Sequence, residues 1–371
     1  MGTIRTPADD ATLPNATHIL VSNSSGKDST ATLLLATEQH PLENISSVFC
    51  DTGNEHPLVY EYLRYLEDAI RVPIKVLRQD FTGWWWHRHG YVRDKWPEKL
   101  RKGGTGRWAW NAPKEVDPGE KPAKPLDIYT TQQIGHWKWK PAQRPMSDIE
   151  ADDIVARTLA VFDKGPTGNP YLDMCIIKGR FPSRTRQFCT EFLKTKPATE
   201  YALELIEQYG AIESWQGVRA DESRNRANLA EREDVGGGLT IVRPIHKWTA
   251  EMVFEQHRKH GIKPNPLYSM GMGRVGCMPC INASKDEVLE ISKRFPEHFD
   301  RIEEWELLVG EASKRRNATF FPSPGDNDTA MERGNVRQVI KWSKTSRGGN
   351  QYDFIRQDDS PACSSSYGLC E

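Results

Sequence analysis

Apolar and polar positions follow two different periods over the first 80 residues. Short apolar runs of four to six residues indicate buried strands, and the segments between them carry apolar residues at helical spacing. Strand, turn and helix in this order predict βαβ units and a parallel sheet. The predicted strands are His18–Val21, Ile45–Cys50 and Val72–Leu77, and the predicted helices are Thr30–Glu38 and Pro57–Ile70.

A similar alternation returns in the second half of the chain, which predicts the strands Glu213–Val218 and Leu239–Ile245 and the helices Thr199–Tyr209, Thr249–His260 and Lys285–Val309. We therefore expect an α/β fold: a parallel-sheet, Rossmann-like nucleotide-binding domain with an insertion and a C-terminal helical and tail region. The predicted divisions are a tail (1–16), a first half-domain (17–82), the insertion (83–165), a second half-domain (166–260), a Cys-x-x-Cys loop and helix (261–310), and a C-terminal region (311–371).

The expected insertion differs in composition from the rest of the chain. It holds eight of the twelve tryptophans, and residues 83–144 carry thirteen Lys or Arg against six Asp or Glu. We expect few regular elements in it apart from a helix at Asp148–Phe162. Aromatic side chains interleaved with cations suit single-stranded or distorted DNA or RNA. Equally, the tryptophans could pack a small core of their own while the cations face solvent.

The bulk composition narrows the class of protein. The chain has 371 residues, 37% hydrophobic and 27% charged, with a net charge of −1, so a buried core is available. No apolar run is long enough to span a membrane, and the first residues lack the apolar stretch of a signal peptide. We expect a cytoplasmic protein without a membrane partner.

The stretch VSNSSGKDST, from Val21 to Thr30, is typical of an anion-binding loop between a strand and a helix. Backbone N–H groups of Ser24, Ser25 and Gly26 can face an anion at a helix N-terminus, and Lys27 adds a positive charge. Ser29 can cap the helix or touch a phosphate, and Asp28 beside an anion suggests a shared Mg²⁺. The alternative is an ordinary capped helix behind a surface turn.

Three further motifs follow this loop in order: DTGNEHP (Asp51–Pro57), GVRADESRNRA (Gly217–Ala227) and RPIHKWT (Arg243–Thr249). Together with the loop they resemble the PP-loop superfamily, and more closely its phosphoadenosine phosphosulfate (PAPS) reductase-like branch. That branch also holds the ATP sulfurylase small subunit and the ATP-using enzymes of DNA phosphorothioation. The resemblance covers Thr17–Asp80 and Gly179–Glu297.

The resemblance implies an adenine nucleotide that is attacked at its α-phosphate, with AMP and pyrophosphate as products. The intact run from Gly26 to Ser29 favours ATP activation over passive binding of PAPS or adenosine phosphosulfate (APS), and Asp28 and Asp51 are the expected carboxylates for Mg²⁺ or for orienting the nucleotide. The expected nucleotide-binding residues are Ser24, Ser25, Gly26, Lys27, Ser29, Asp51, Gly53, Arg219 and Glu222. The expected catalytic residues are Lys27, Asp28, Arg219, Arg226 and Cys370.

The arginines fit a phosphate-binding role independently of the family resemblance. Guanidinium groups of Arg219, Arg224 and Arg226 around Glu222 can clamp a phosphate or sulfate. The alternative is an exposed basic turn with a Glu222–Arg226 pair at i,i+4 spacing.

Seven cysteines in a long chain without a secretion signal argue for metal or redox chemistry rather than disulfides. Cys277 and Cys280 form a C-x-x-C pair, and Cys189 precedes Cys277 by 88 positions. This resembles the APS reductases, which carry a cysteine pair, a similar gap and C-x-x-C around a [4Fe–4S] cluster; here Phe188 replaces one cysteine of the pair. The cluster would then use Cys189, Cys277 and Cys280, with Cys175, Cys363 or Cys370 as a fourth ligand, or leave one iron open to a sulfur donor. Zinc or a dithiol are the alternatives.

Three functions follow from these features. The first is an ATP pyrophosphatase that activates a substrate for sulfur transfer, with a cysteine desulfurase as sulfur donor. The second is a PAPS or APS reductase that releases sulfite, with Cys370 or Cys363 of the tail as nucleophile and thioredoxin as electron donor. The third is a nucleic-acid-binding module that keeps the nucleotide fold without turnover. A homodimer is compatible with all three.

Overall fold

A six-stranded sheet forms the centre of the computed structural model, which describes residues 18–110, 116–117, 120–321 and 334–345. The strand order is β3-β2-β1-β7-β9-β8, in which all neighbours are parallel except the edge pair β8 and β9. The predicted parallel α/β sheet is thus confirmed. The strands are β1 (His18–Ser22), β2 (Ile45–Asp51), β3 (Ile74–Arg78), β7 (Ile212–Trp215), β8 (Arg232–Gly236) and β9 (Leu239–Val242).

The chain changes direction across this sheet beside β1. It runs outward from β1 through β2 to β3, and after the insertion it returns to place β7 on the other side of β1. Such a switch point leaves a crevice at the carboxyl ends of the strands, where parallel α/β sheets bind ligands. The loop after β1 opens into this crevice.

The helices cover the sheet and build the C-terminal part. They are α1 (Lys27–Gln39), α2 (Pro57–Ile70), α3 (Thr82–Lys102), α4 (Asp148–Phe162), α5 (Pro170–Lys178), α6 (Phe188–Thr190), α7 (Lys196–Tyr209), α8 (Arg224–Ala227), α9 (Ala250–Lys259), α10 (Pro266–Ser269), α11 (Lys285–Arg294), α12 (Pro296–Glu311) and α13 (Val336–Ser343). One turn of π-helix, Glu191–Thr195, joins α6 to α7.

The first part of the expected insertion is more regular than its composition suggests. Residues 82–102 form α3, and its Trp85, Val92, Trp96 and Leu100 are fully buried in the largest hydrophobic cluster. These positions lie on one helical face, which packs against α4 and α5. The high content of Trp, Arg and His hides this periodicity. Later in the insertion, β4 (Arg107–Trp110), β5 (Gln133–Ile134) and β6 (Trp137–Lys140) form a small antiparallel sheet.

Two predicted helices differ in outcome. Asp148–Phe162 is confirmed with the predicted bounds, and its Ser147 cap and Glu150 form a complete capping box. The prediction of a single helix at Lys285–Val309 is wrong. The helix is interrupted at Phe295, and the segment forms two helices, α11 and α12. Pro296 lacks an N–H donor and is tolerated in the first turn of a helix, not in its interior.

Within the described ranges, we find no helix that is both long and apolar enough to cross a bilayer.

Candidate functional site

The centre of the first site is a carboxylate held between two cations. Asp28, in the first turn of α1, is 1% exposed. Lys27 donates to its Oδ2 at 2.6 Å, and Arg219 donates from Nε to its Oδ1 at 2.5 Å. Arg219 also donates from Nη1 to both oxygens of Asp221. Asp28 therefore holds Lys27 and Arg219 side by side at the start of the helix.

The loop before α1 is preformed by side-chain acceptors. Ser24 N–H donates to Ser29 Oγ at 3.1 Å, and Lys27 N–H donates to the Tyr268 hydroxyl at 3.0 Å. Ser25, which adopts a left-handed φ of 64°, donates its N–H to Asn23 Oδ1 at 2.8 Å. No side chain caps α1 at Gly26, so its N-terminus suits an anion. Hydroxyl and amide acceptors can yield to a phosphate without unfolding the loop.

Gly217 lets the segment after β7 approach this loop. A Cβ atom at Gly217 would lie 2.8 Å from the main-chain carbonyl of Asp28 and from the Ser29 nitrogen. Real Cβ atoms do not approach backbone so closely, so a larger residue would push the two segments apart. This approach places Arg219 over α1.

The expected nucleotide residues after β2 form a separate polar group beside the loop. Asp51 accepts from Arg78 Nη1 at 2.5 Å, from the Tyr60 hydroxyl at 2.7 Å and from the Gly53 N–H at 2.9 Å. Gly53 has a φ of +77° and lies against Asn169. Asp51 is thus a buried, fully engaged carboxylate rather than a free ligand.

Arg226 and Glu222 form the i,i+4 pair that the sequence offered as an alternative. Arg226 donates from Nη1 to Glu222 Oε2 at 2.5 Å, and the Glu222 carboxylate also accepts from the Arg219 N–H at 3.1 Å. Glu222 therefore connects the two arginines, while only the Arg219 side chain reaches Asp28. His246 fixes the same turn by donating to the Arg226 carbonyl at 2.9 Å.

Four cysteines surround a second site. Cys175 lies on α5, Cys189 on α6, and Cys277 and Cys280 on the loop before α11. All four thiols act electrostatically on the phenol of Tyr171, whose pKa is raised by burial and by these neighbours. The Tyr171 hydroxyl is buried and has no hydrogen-bond partner among the described residues. Of the three fourth ligands expected from sequence, Cys175 lies here; Cys363 and Cys370 fall outside the described residues.

The C-x-x-C loop is attached to the segment after β2. Cys277 pairs with Glu55 as an antiparallel bridge, and Met278 N–H donates to the Asn54 carbonyl at 2.7 Å. The Cys277 thiol lies 3.5 Å from Thr52 Oγ1 and donates to Glu55 Oε1 at 3.7 Å. The motif DTGNEHP therefore contributes to the cysteine pocket as well as to the polar group beside the loop.

Two half-buried cations, Lys194 and Arg274, lie beside the thiols. Burial disfavours the charge of Lys194, but Cys277, Glu55 and Cys280 raise its pKa above the normal value. The thiol of Cys280 is the main cause of the raised pKa of Arg274. Burial, followed by the neighbouring thiols Cys280 and Cys277, raises the pKa of Cys189 to about 12, and burial is the main cause of a Cys277 pKa of about 11. The charge of Lys194 offsets part of both rises and so favours the thiolate, which is the ligand form of cysteine.

The spacing of the thiols bears on which metal fits. No three of the four bring their Sγ atoms within 4.8 Å of one another. A tetrahedral zinc site with Zn–S bonds of about 2.3 Å places its sulfurs about 3.8 Å apart. The pocket is wider than that and suits a larger cysteine-ligated group. His56, Glu297 and His298 do lie within 4.8 Å of one another, but Arg301 donates to His298 Nδ1 at 3.1 Å, which disfavours a cation there.

Comparison with known proteins identifies the family. A family model described as the phosphoadenosine phosphosulfate reductase domain matches residues 18–107 and 172–283, more than half of the chain. The chain belongs to this family. Both sites described above lie within the matched segments, except Tyr171 and the helix that carries Arg301.

Relatives of known sequence agree with this assignment. The chain is 39% identical over 377 residues to the "Uncharacterized 37.8 kDa protein in gpa 5'region" of Escherichia phage 186, covering 98% of the chain and 99% of the relative. It is 34% identical over 129 residues to the adenosine 5'-phosphosulfate reductase of Rhizobium meliloti, covering 34% of the chain and 46% of the relative. The corresponding enzyme of Streptomyces coelicolor is 35% identical over 99 residues, covering 26% and 39%.

One segment of the family domain links the two sites. At its start, Asn265 donates from Nδ2 to Ser25 Oγ at 3.3 Å, and the Tyr268 hydroxyl accepts the Lys27 N–H. At its end, Cys277 and Cys280 enter the cysteine pocket. We name Asn265–Cys280 the linking segment. This segment contacts both sites directly and connects them physically.

Sequence reasoning missed several residues of the sites. Glu55 lies inside a quoted motif but gave no sign of facing a cysteine, and Lys194 lies five residues after Cys189 in an amphipathic segment. Tyr171 and Arg274 carried no signal at all, because only the fold brings them to the thiols. The tryptophans of the insertion differ in exposure: Trp85 and Trp96 are buried in the main hydrophobic core, while Trp84 and Trp86 are 41% and 47% exposed.

Proposed function

We propose that this member of the phosphoadenosine phosphosulfate reductase domain family is an enzyme that cleaves ATP to AMP and pyrophosphate to activate a substrate for sulfur transfer. One observation carries the proposal: Asp28 holds Lys27 and Arg219 together at the open N-terminus of α1, in the crevice beside β1. Two aligned cations and a helix N-terminus are suited to a nucleotide's phosphates.

Different residues would bind the pyrophosphate part and the α-phosphate of ATP. The α1 N-terminus, with Lys27 and Ser29, would bind the pyrophosphate part. Arg219, and Arg226 through Glu222, would stabilise charge at the α-phosphate as preorganised donors do. A substrate oxygen would attack the α-phosphorus, the bond to the bridging oxygen would break, and pyrophosphate would leave with that electron pair. A sulfur nucleophile would then displace AMP from the activated substrate. Mg²⁺ is expected with ATP, with Asp51 as an orienting carboxylate held by Arg78 and Tyr60.

The cysteine pocket fits an iron–sulfur cluster held by Cys175, Cys189, Cys277 and Cys280. Four clustered thiols, of which Cys175 is buried and the others half-buried, two neighbouring cations, and the unpartnered Tyr171 hydroxyl support this assignment. A bound cluster with three thiolate ligands would offer an iron to an external sulfur, and one with four would be coordinatively closed. The protein's own part is to bury the ligands and to place Lys194 and Arg274 against their charge.

A second candidate is a sulfonucleotide reductase that releases sulfite from APS or PAPS. The observation that favours it is the similarity to two APS reductases, although each match covers less than half of the relative. In this case Cys370 or Cys363 would attack the sulfur, and thioredoxin would restore the thiol.

Nucleotide products separate the two candidates. The anaerobically purified chain is incubated with Mg²⁺ and either ATP, APS or PAPS, and products are resolved by chromatography. AMP and pyrophosphate from ATP, with the reaction lost in Lys27→Ala and kept in the surface variant Lys259→Ala, support the proposal. Sulfite from APS or PAPS with ATP intact would replace it by the second candidate.

A further inference from the structure

A cationic cleft lies outside both sites. It has a volume of about 570 Å³, and five cations line it: Arg88 on α3, Lys178 and Arg180 at the end of α5, and Lys314 and Arg315 after α12. The described lining residues include no carboxylate. A cleft with this charge is suited to an anionic ligand.

A second cleft of about 850 Å³ continues from the first, because Lys314 and Arg315 line both. Its remaining wall includes Gln143 and Arg316, and one acid, Glu150, which is engaged in the α4 capping box. We name the joined clefts the basic groove. An elongated groove with cations along it matches a linear polyanion better than a single phosphate ion.

The cations of the basic groove are crowded against aromatic rings rather than paired with carboxylates. Arg88 and Lys314 lie 5.1 and 5.0 Å from the Trp96 ring, and Lys178 lies 4.5 Å from the Phe192 ring. Within the described ranges, none of Arg88, Lys178, Arg180, Lys314 and Arg315 has a carboxylate oxygen within 4.0 Å. Burial and neighbouring cations lower the pKa of Lys178 and Lys314, and burial lowers that of Arg88. A bound anion would relieve this repulsion.

One exposed tryptophan lies beside a cation of the groove, and a second follows two residues later on α3. Trp84, which is 41% exposed, has Lys178 and Lys196 at 5.5 and 5.6 Å from its ring, and Trp86 is 47% exposed. The acids in this area are Glu191 beside Lys178, Glu200 beside Lys196, and Asp163, which pairs with His89. The cations outnumber them. Stacking surfaces next to phosphate-binding cations favour unpaired bases over a duplex or an acidic peptide.

We propose that the basic groove binds a single strand of nucleic acid, with its phosphates on Arg88, Lys178, Arg180, Lys314 and Arg315 and its bases on Trp84 and Trp86. Helix α5 contributes to both regions, with Lys178 at the basic groove and Cys175 at the cysteine pocket. The proposal stands on residues that the nucleotide crevice does not use, and it is independent of ATP cleavage.

The test measures the binding of the full chain to a fluorescein-labelled, mixed-sequence DNA strand of about 20 nucleotides, by anisotropy over about 50 to 300 mM KCl. The groove variant is Lys178→Gln with Lys314→Gln. The matched control is Lys259→Gln with Lys293→Gln, which removes two charges from exposed lysines elsewhere. We expect the groove variant to bind about tenfold or more weakly at 100 mM salt, with the slope of log K against log salt reduced by about 1.4, and the control to stay within about twofold.

Several results would overturn the proposal. If the groove and control variants lose the same affinity for the strand, binding depends on overall charge and not on the basic groove. Tighter binding of a duplex of the same sequence would exclude stacking on unpaired bases. Equal affinity for polyglutamate, or displacement by inorganic tripolyphosphate at the concentration of the strand, would assign the groove to an acidic protein or a small polyphosphate.

Trp84→Ala is expected to weaken binding of the strand about fivefold or more without lowering the salt slope. ATP binding, measured in the same variants, stays unchanged, so failure here leaves the proposed reaction standing.

Discussion

The nucleotide loop and the cysteine pocket are built from the sequence in different ways. The loop is one contiguous stretch after β1, and a single partner from elsewhere, Arg219, completes its charged centre. The pocket collects thiols from three separate parts of the chain, together with Glu55, Lys194, Arg274 and Tyr171. A local motif therefore specifies the first, and only the tertiary fold specifies the second.

The two regions also treat charge differently. At the loop, Asp28 and Asp221 offset Lys27 and Arg219, so that the group is nearly neutral and lies at the N-terminus of α1. In the pocket, Lys194 and Arg274 are half-buried beside thiols whose own pKa values burial raises. We expect the loop to keep its structure without a ligand. The structure of the pocket should depend on its thiolates and on the group that they bind.

The largest effect is expected from the cysteines. Cys280→Ser and Cys175→Ser should each remove most of the iron and acid-labile sulfide from anaerobically purified protein, because a hydroxyl is a poor substitute for a thiolate ligand. The matched control is Cys50→Ser, since Cys50 lies at the end of β2 and its thiol donates to the Lys194 carbonyl at 3.5 Å. Iron loss in Cys50→Ser equal to that in the other two, or zinc in place of iron in the unaltered protein, would contradict the assignment.

On the loop side, Lys27→Ala should lower kcat/KM for ATP cleavage by about 100-fold, because it removes a charged donor to the phosphates. Asp28 keeps its bond to Arg219 in this variant, so the thermal midpoint should change little. Steady-state kinetics beside Lys259→Ala, an exposed lysine on α9, checks the prediction. Unchanged kinetics in Lys27→Ala would remove the loop from the reaction.

The free energy of unfolding should depend on pH through Glu306 on α12. Burial raises the pKa of Glu306 to about 7, and its carboxylate accepts the Phe320 and Val336 N–H groups. A carboxyl whose pKa is raised on folding binds more protons in the folded state, so it stabilises below about pH 5 and this contribution is lost as pH rises through 7. Between pH 5.5 and 7.5 the free energy of unfolding should fall by about 2 kcal/mol from this group.

Denaturant unfolding across that range, compared with Glu306→Gln, isolates the contribution of Glu306. The variant should show a flatter pH profile. A profile parallel to that of the unaltered chain would show that Glu306 does not titrate in this range.

The smallest effect is expected at Gly217. Gly217→Ala should weaken ATP binding about tenfold by separating Arg219 from α1, since the added methyl meets the backbone of Asp28 at 2.8 Å. Gly273→Ala, at a glycine with open space around it, serves as the control. Calorimetric titration of both variants measures the difference, and equal affinities would show that the close approach is not needed.

Much of the sheet could be predicted from sequence because apolar runs such as Ile45–Cys50 and helices such as Pro57–Ile70 carry clear periods. The antiparallel edge strand β8 has five exposed residues and therefore no such pattern. Helix α3 was obscured because exposed Trp84 and Trp86 flank buried Trp85, which hides its apolar face.

The candidate sites, like the sheet, could be predicted only in part from the sequence. Lys27, Asp28 and Arg219 were identified from motifs, but the ion pair between Asp28 and Arg219, across 191 positions, follows only from the fold. The roles of Lys194 and Tyr171 depend on burial next to thiols, and sequence alone does not reveal which buried residues meet.

We expect the loop and the pocket to act as one site, joined by the linking segment. Alkylation of Cys277 and Cys280 in cluster-free, reduced protein tests it directly, with Cys50 as the internal reference and mass spectrometry as the readout. We predict that Mg²⁺–ATP slows alkylation of Cys277 and Cys280 several-fold in the unaltered chain and has no effect in Lys27→Ala. Rates that ATP leaves unchanged, in protein shown to bind it, would contradict the claim and separate the two sites.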